Sequence, residues 1–238
     1  MQIFLLERLN SQTGWLGATE TKHCIKVLRH QLGDEIMCID GKGQAYKSRI
    51  KQYNKEETEL QILEVLPAWG EHELNIRLAV SPLRLKDRFE FLIEKAVELG
   101  VSEIFPITCK RTDKYQSKFK PARLETQILA ATKQTKRSRV ATLHPLQSIE
   151  DFLANTPKGQ NYVAYCEGEP IPLQQEADSI RAANTVSIMI GPEGDFTEEE
   201  IRFAERQNFT NVSLGENRLR TETAAVYALS IIKMLRGY

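Results

Sequence analysis

Val186-Ser187-Ile188-Met189-Ile190, then Gly191-Pro192-Glu193-Gly194-Asp195-Phe196, then Thr197-Glu198-Glu199-Glu200, is the stretch on which the reading of the whole chain turns. An apolar run broken only by Ser187 reads as a strand buried on both faces, the kind that parallel sheets contain. Thr197 followed three residues later by Glu200 is a capping box, which opens a helix by satisfying its free backbone N–H groups. The glycine-bearing loop therefore joins the carboxyl end of a strand to the start of a helix. In open α/β sheets ligands collect at that end, and glycine lets the backbone approach a ligand closely or take positive φ. An ordinary βα turn is the alternative reading of the same residues.

Outward from this block the alternation continues. Downstream, Asn211 to Leu214 reads as a short strand, Leu214-Gly215-Glu216-Asn217-Arg218-Leu219-Arg220 as a second glycine loop, and about 222 to 236 as a helix. Thr221 can cap that helix, whose first turn offers N–H groups to an anion. Upstream, strands are expected at Asn75 to Ser81, Val101 to Thr108 and Asn161 to Cys166. Leu85, Phe89, Leu92, Ala96 and Leu99 recur at helical spacing and stop at Gly100, and a further helix is expected at about 121 to 135. Repeated β-α units predict an α/β fold with a mostly parallel sheet over 74–238. Residues 1–70 follow another rhythm. Asp34 to Ile39, Ala45 to Ile50 and Glu59 to Leu66 are strand-like, with a hairpin signal at Asp40-Gly41-Lys42-Gly43, and Pro67 to His72 reads as a linker. A small β-rich unit, barrel-like, is expected there.

Composition narrows the classes of function. The chain has 238 residues, 41% of them hydrophobic, and 32 basic against 32 acidic side chains. A net charge of zero argues mildly against a non-specific nucleic-acid binder. Local charge differs, because Lys110, Arg111, Lys114, Lys118, Lys120, Arg123, Lys133, Lys136, Arg137 and Arg139 fall within one segment opposed only by Asp113 and Glu125. That segment reads either as a solvated helix face or as a strip for phosphates. No signal peptide is expected from the first residues, and no apolar run approaches the roughly 18 residues of a membrane helix. Cys24, Cys38, Cys109 and Cys166 form no C-x-x-C pair and suit reduced thiols in the cytoplasm. His23, His30, His72 and His144 are isolated, so neither a metal site nor a triad is expected. Gly41-Lys42-Gly43 lacks the P-loop spacing, and no G-x-G-x-x-G follows an early strand.

The two glycine loops together carry a resemblance. IGPEGDF (190–196) followed by LGENRLRTETA (214–224) resembles the paired C-terminal motifs of the RsmE-type 16S ribosomal RNA uridine methyltransferases, in the SPOUT class of knotted methyltransferases. KDRFEFLIEKAVELGV (86–101) is similar to the family's first helix, and KQTKR (133–137) to its Gln- and Arg-containing element. HCIKVLR (23–29) with DGKGQAY (40–46) resembles its N-terminal PUA-like β-barrel. The likeness covers nearly the whole chain. It departs at Lys133, where the family commonly has Glu, and at Asp195, where it commonly has a second Gly.

The resemblance implies a trefoil knot in the C-terminal sheet and a homodimer that needs no metal. It also implies S-adenosyl-L-methionine bent among three loops. Cys166, Ile190, Gly191, Pro192, Glu193, Gly194, Leu214, Gly215, Asn217 and Leu219 are the expected cofactor residues. The implied reaction methylates N3 of a uridine in 16S ribosomal RNA, within the small subunit. Because that nitrogen is a poor nucleophile until its proton leaves, a cation must stabilise the uracil anion. Arg220 is the candidate, with Thr221 assisting and Glu222 as proton acceptor, although Glu222 also suits compensation of the helix dipole. Arg29, Lys42, Lys110, Arg111, Lys133, Gln134, Lys136 and Arg137 are the expected RNA contacts. A knotted methyltransferase acting on transfer RNA, or an RNA-binding or ribosome-assembly protein without catalysis, are the competing readings.

Overall fold

The computed structural model describes residues 2–112 and 120–237. The chain divides into two units, Met1–His72 with Leu129–Val140, and Glu73–Ile128 with Ala141–Tyr238.

The first unit is built on β1 (Ile3–Leu5), β2 (Arg8–Leu9), β3 (Thr13–Leu16), β4 (Glu35–Ile39), β5 (Gln44–Tyr53) and β6 (Thr58–Pro67). They hydrogen-bond in the order β1-β4-β5-β6-β3-β2, with β1 parallel to β4 and the other pairs antiparallel. The sheet is a half-barrel, open between β1 and β2, where the sequence suggested a barrel. Register shifts between Lys47 and Ser48 and between Ile50 and Gln52 add the local bends that curl such a sheet. Its inner face buries Phe4, Leu16, Cys38, Tyr46, Ile50 and Leu60. The expected hairpin forms at Asp40, whose carboxylate accepts from the N–H groups of Lys42 (2.7 Å) and Gln44 (3.0 Å). A short helix α1 (Ala18–Thr21) runs into a π-helical turn at Lys22–Val27, neither of which the sequence pattern suggested.

Glu71 is a main anchor of the segment 129–140 to this unit. Glu71 accepts from Ser138 N (2.8 Å), Arg139 N (2.7 Å) and Arg137 Nη2 (3.1 Å). Trp69 O takes the Ser138 hydroxyl at 2.7 Å. Trp69 and Glu71, in the segment expected as a linker, carry these contacts, and residues 129–140 cluster with the first unit.

The second unit carries β7 (Asn75–Val80), β8 (Glu103–Thr108), β9 (Thr142–Leu143), β10 (Gln147–Ser148), β11 (Gln160–Ala164), β12 (Ile171–Pro172), β13 (Thr185–Ile190) and β14 (Thr210–Ser213). The order is β10-β8-β7-β13-β11-β14-β12, with β9 beside β8, and the pairs are parallel. β7 and β13 are buried along nearly their whole length. That is why they read as continuous apolar runs and not as alternating patterns. The helices are α2 (Lys86–Glu98), α3 (Pro121–Gln134, divided between the units after Ile128), α4 (Ile149–Ala154), α5 (Ala177–Ala182), α6 (Glu198–Arg206) and α7 (Thr221–Arg236). α2 and α7 pack together, and α7 lies against β13.

The capping box at Thr197 is present, the Glu200 carboxylate accepting from Thr197 N at 2.7 Å. Its other oxygen accepts from Lys110 N at 2.7 Å, so a carboxylate left 4% exposed has partners on both oxygens. Phe105, Phe152, Val163, Met189, Phe196 and Phe209 form the core beneath. His144 belongs to packing, stacked on Phe105 with ring centroids 3.9 Å apart and its Nε2 2.9 Å from Glu103.

Candidate active site

Three neighbouring strands end at one level. Ala164 at the end of β11 is in register with Ile190 of β13 and Val212 of β14. The loops that follow, at Tyr165–Cys166, 191–196 and 214–220, enclose a cavity of about 420 Å³. That is within the size range of ligand pockets, roughly 300–1,000 Å³.

Of the residues expected to hold a cofactor, Cys166, Ile190, Gly191, Pro192, Glu193, Leu214, Gly215, Asn217 and Leu219 line this cavity. Gly194 does not. It packs on Arg111, where an added Cβ would come within 3.2 Å of the Arg111 Cβ, and its carbonyl accepts from Arg111 Nη1 at 3.0 Å. Two glycines on the wall are favoured by geometry. A Cβ on Gly191 would meet the Phe196 ring at 3.1 Å, and Gly215 has φ +118°, a conformation that side chains rarely tolerate.

Arg220, Thr221 and Glu222 also face the cavity. Arg220, not Thr221, is the N-cap of α7, and no side chain caps that helix. The buried Thr221 hydroxyl instead donates to Gly191 O at 3.0 Å, fastening the start of α7 to the loop after β13. Sequence reasoning missed Arg88, Tyr165, Asp195 and Arg218, which line the wall together with Ala164 and Ala224. Arg88 comes from α2, and its Nη1 lies 3.7 Å from Glu222 Oε1. Periodicity marked α2 for its apolar face and carried no signal about this polar position. Tyr165 donates to Glu167 at 3.0 Å, and burial with that carboxylate pushes its hydroxyl up to about 12. A second cavity of about 520 Å³ shares Cys166, Asp195, Gly215 and Arg218 with the first and adds Arg111 and Gln174.

The wall suits S-adenosylmethionine. Ile190, Leu214, Leu219 and Ala224 offer apolar surface for a flat base, the glycine loops offer backbone, and the arginines and carboxylates offer partners for a zwitterionic tail.

The basic segment does not form one free strip. Lys110 pairs with Glu199, Arg123 with Glu90 at 2.6 Å, and Lys133 with Glu20 at 2.6 Å. Arg111 is turned onto the carbonyls of Gly194 and Phe196. Arg137 is 5% exposed against Glu71. Lys133, expected to add charge toward RNA, is neutralised inside the first unit. Arg29, Lys42, Gln134 and Lys136 are exposed, and Lys114 and Lys118 lie outside the described residues.

Residues 70–233 match the family described as RNA methyltransferase domain, and residues 16–63 match the RNA methyltransferase PUA domain. Half-barrel and parallel sheet therefore define an RNA methyltransferase with an attached PUA unit. The chain is 28% identical to ribosomal RNA small subunit methyltransferase E of Bacillus subtilis (strain 168), covering 100% of this chain and 99% of that one. The Neisseria gonorrhoeae enzyme of the same name, solved with S-adenosyl methionine bound, superposes with a TM-score of 0.87 at 31% identity, over 99% of this chain and 98% of that one. A Legionella pneumophila methyltransferase in complex with the same cofactor gives 0.83 at 26% identity, over 98% and 96%. The chain belongs to the ribosomal RNA small subunit methyltransferase E family.

Proposed function

We propose that this protein methylates N3 of a specific uridine in 16S ribosomal RNA, using S-adenosylmethionine. The observation that carries the reading is the cavity closed by the loops after β11, β13 and β14, in a family whose solved relatives hold that cofactor. When bound, the cofactor supplies an electrophilic methyl group on a sulfonium.

The remaining chemistry falls to the side chains. Backbone groups of Gly191, Leu214, Gly215 and Leu219 would hold the adenine, and the apolar wall would keep water from the reacting atoms. Arg220 stabilises the negative charge that develops on the uracil. Glu222 takes the N3 proton, directly or through water, with Arg88 beside it to hold the carboxylate. Thr221 acts on position, through Gly191. The three loops would also position the uracil against the bound donor, which lowers the barrier by orientation alone.

RNA is gripped by the PUA unit, through Arg29, Lys42 and Lys136, which make no ion pair among the described residues. The trefoil knot, a homodimer and a cytoplasmic location complete the reading. Exposed apolar side chains on the packed pair α2 and α7 (Phe91, Tyr227 and Met234) support a self-associating face. No helix among the described residues is long and apolar enough to cross a membrane.

The test is transfer of labelled methyl to undermethylated small subunits, large subunits and transfer RNA in parallel, with nucleoside mass spectrometry. We expect 3-methyluridine in small-subunit RNA alone. Label in transfer RNA would move the target, and cofactor binding without label in any substrate would favour an assembly role.

A further inference from the structure

The carboxylate of Asp195 sits where two cavities meet. It lines the cofactor cavity and the adjoining one, and it is partly buried. Its backbone is left-handed, φ +63°, a conformation that Asp tolerates better than most residues. Oδ1 accepts from Phe196 N at 2.8 Å, and Oδ2 has no hydrogen-bond partner among the described residues.

The other carboxylates of the cofactor wall differ. Glu222 has Arg88 at 3.7 Å, and Glu193 is exposed to solvent. Asp195 has no cation within ion-pairing distance among the described residues. Arg218 and Arg111 act on it only from further away, while Glu167 opposes ionisation and burial raises its carboxyl above the usual value. Tyr165 and Cys166 on the neighbouring loop feel its charge in turn. A half-buried carboxylate without a counter-ion is a costly feature unless a cation arrives.

We propose that Asp195 is the anionic contact for the cationic methionine portion of S-adenosylmethionine, and that it sets the affinity for the methyl donor. This rests on the reading of the first cavity as the cofactor site. A cation beside Asp195 favours the ionised carboxylate, so binding releases a proton where Asp195 is protonated in the free protein. Donor affinity therefore rises with pH through the range in which free Asp195 ionises, and is flat above it.

The test is titration calorimetry of the full chain with S-adenosylmethionine and, separately, S-adenosylhomocysteine, over a pH series from acid to neutral. Asp195→Asn keeps the tolerance for positive φ and the oxygen that accepts from Phe196, and removes only the charge. We expect D195N to bind the methyl donor roughly tenfold more weakly at pH 7 and to lose the pH dependence, with its thermal midpoint preserved. Asp195→Gly, which relieves the backbone, is expected to show the same loss. Equal weakening of S-adenosylhomocysteine assigns the contact to the ammonium group, and an unaffected S-adenosylhomocysteine assigns it to the sulfonium. Wild-type affinity and pH profile in both variants would overturn the inference. Failure of the wild type to bind either compound would instead overturn the assignment of the cavity.

Discussion

The Thr221 hydroxyl donates a hydrogen bond of 3.0 Å to the carbonyl of Gly191, thirty residues earlier in the chain. Thr221 is 5% exposed and Gly191 is also buried, so water cannot readily replace either partner. The bond fixes the first turn of α7 against the loop after β13, both of which line the cavity of about 420 Å³. Thr221→Val keeps the shape and leaves the Gly191 carbonyl without that donor, at a cost of about 1–3 kcal/mol. A lowered thermal midpoint together with weaker cofactor binding is expected, and Thr221→Ser should recover both. Calorimetry and a cofactor titration on the two variants check it.

Arg220, the preceding residue, is proposed to act on the uracil. Arg220→Ala should lower turnover roughly 10²–10³-fold while the dissociation constant for S-adenosylmethionine stays within a few-fold of wild type. Single-turnover methylation and equilibrium titration separate the two quantities. Equal losses in both would make Arg220 a cofactor ligand.

Glu71 tests the anchoring of residues 129–140. It is buried with Arg137 and also accepts from two backbone N–H groups. Glu71→Ala removes the carboxylate paired with the buried Arg137 guanidinium, along with the acceptor of two backbone N–H groups, and should cost about 3–5 kcal/mol. Removing both partners should cost less than the sum of the single losses, because they share one interaction. Denaturant unfolding of the two single variants and the double variant reads this directly.

The RNA face is expected on Arg29, Lys42 and Lys136. Reversing each to Glu should weaken RNA binding and lower the salt slope by roughly one per residue, as filter binding over a salt series would show. Lys133→Glu should act instead on stability, since it places a second carboxylate against Glu20. An unchanged slope for the first three would remove them from the interface.

Asp195 also predicts the sign of a pH effect on the cofactor-free protein. Burial holds its folded carboxyl above the unfolded value of 3.8. The contribution is therefore most favourable below that value and is lost as pH rises through the folded one. Relative to Asp195→Asn, the wild type should lose stability between acid and neutral pH. Thermal midpoints over that range, without cofactor, measure it.

Much of this was legible in the chain because the signals are local. The run 186–190, the glycine loop and the Thr197–Glu200 box each act within a few residues, and β13, its loop and α6 follow them. The spacing of Phe89, Leu92 and Ala96 similarly carried α2, and Asp40-Gly41 carried the hairpin. The order of the strands, with β13 between β7 and β11, was not legible, because pairing partners are chosen by the burial of whole faces. Nor were the destinations of the charges: which arginine meets Glu222, why Lys133 and Arg137 are spent on Glu20 and Glu71, and that Thr221 holds Gly191 in place of capping its own helix. The kinds of element could be read from neighbouring residues, since propensity and capping are properties of neighbours. Which polar groups remain available to a ligand could not, because a charge or hydroxyl takes whatever partner the packing of distant segments brings within reach.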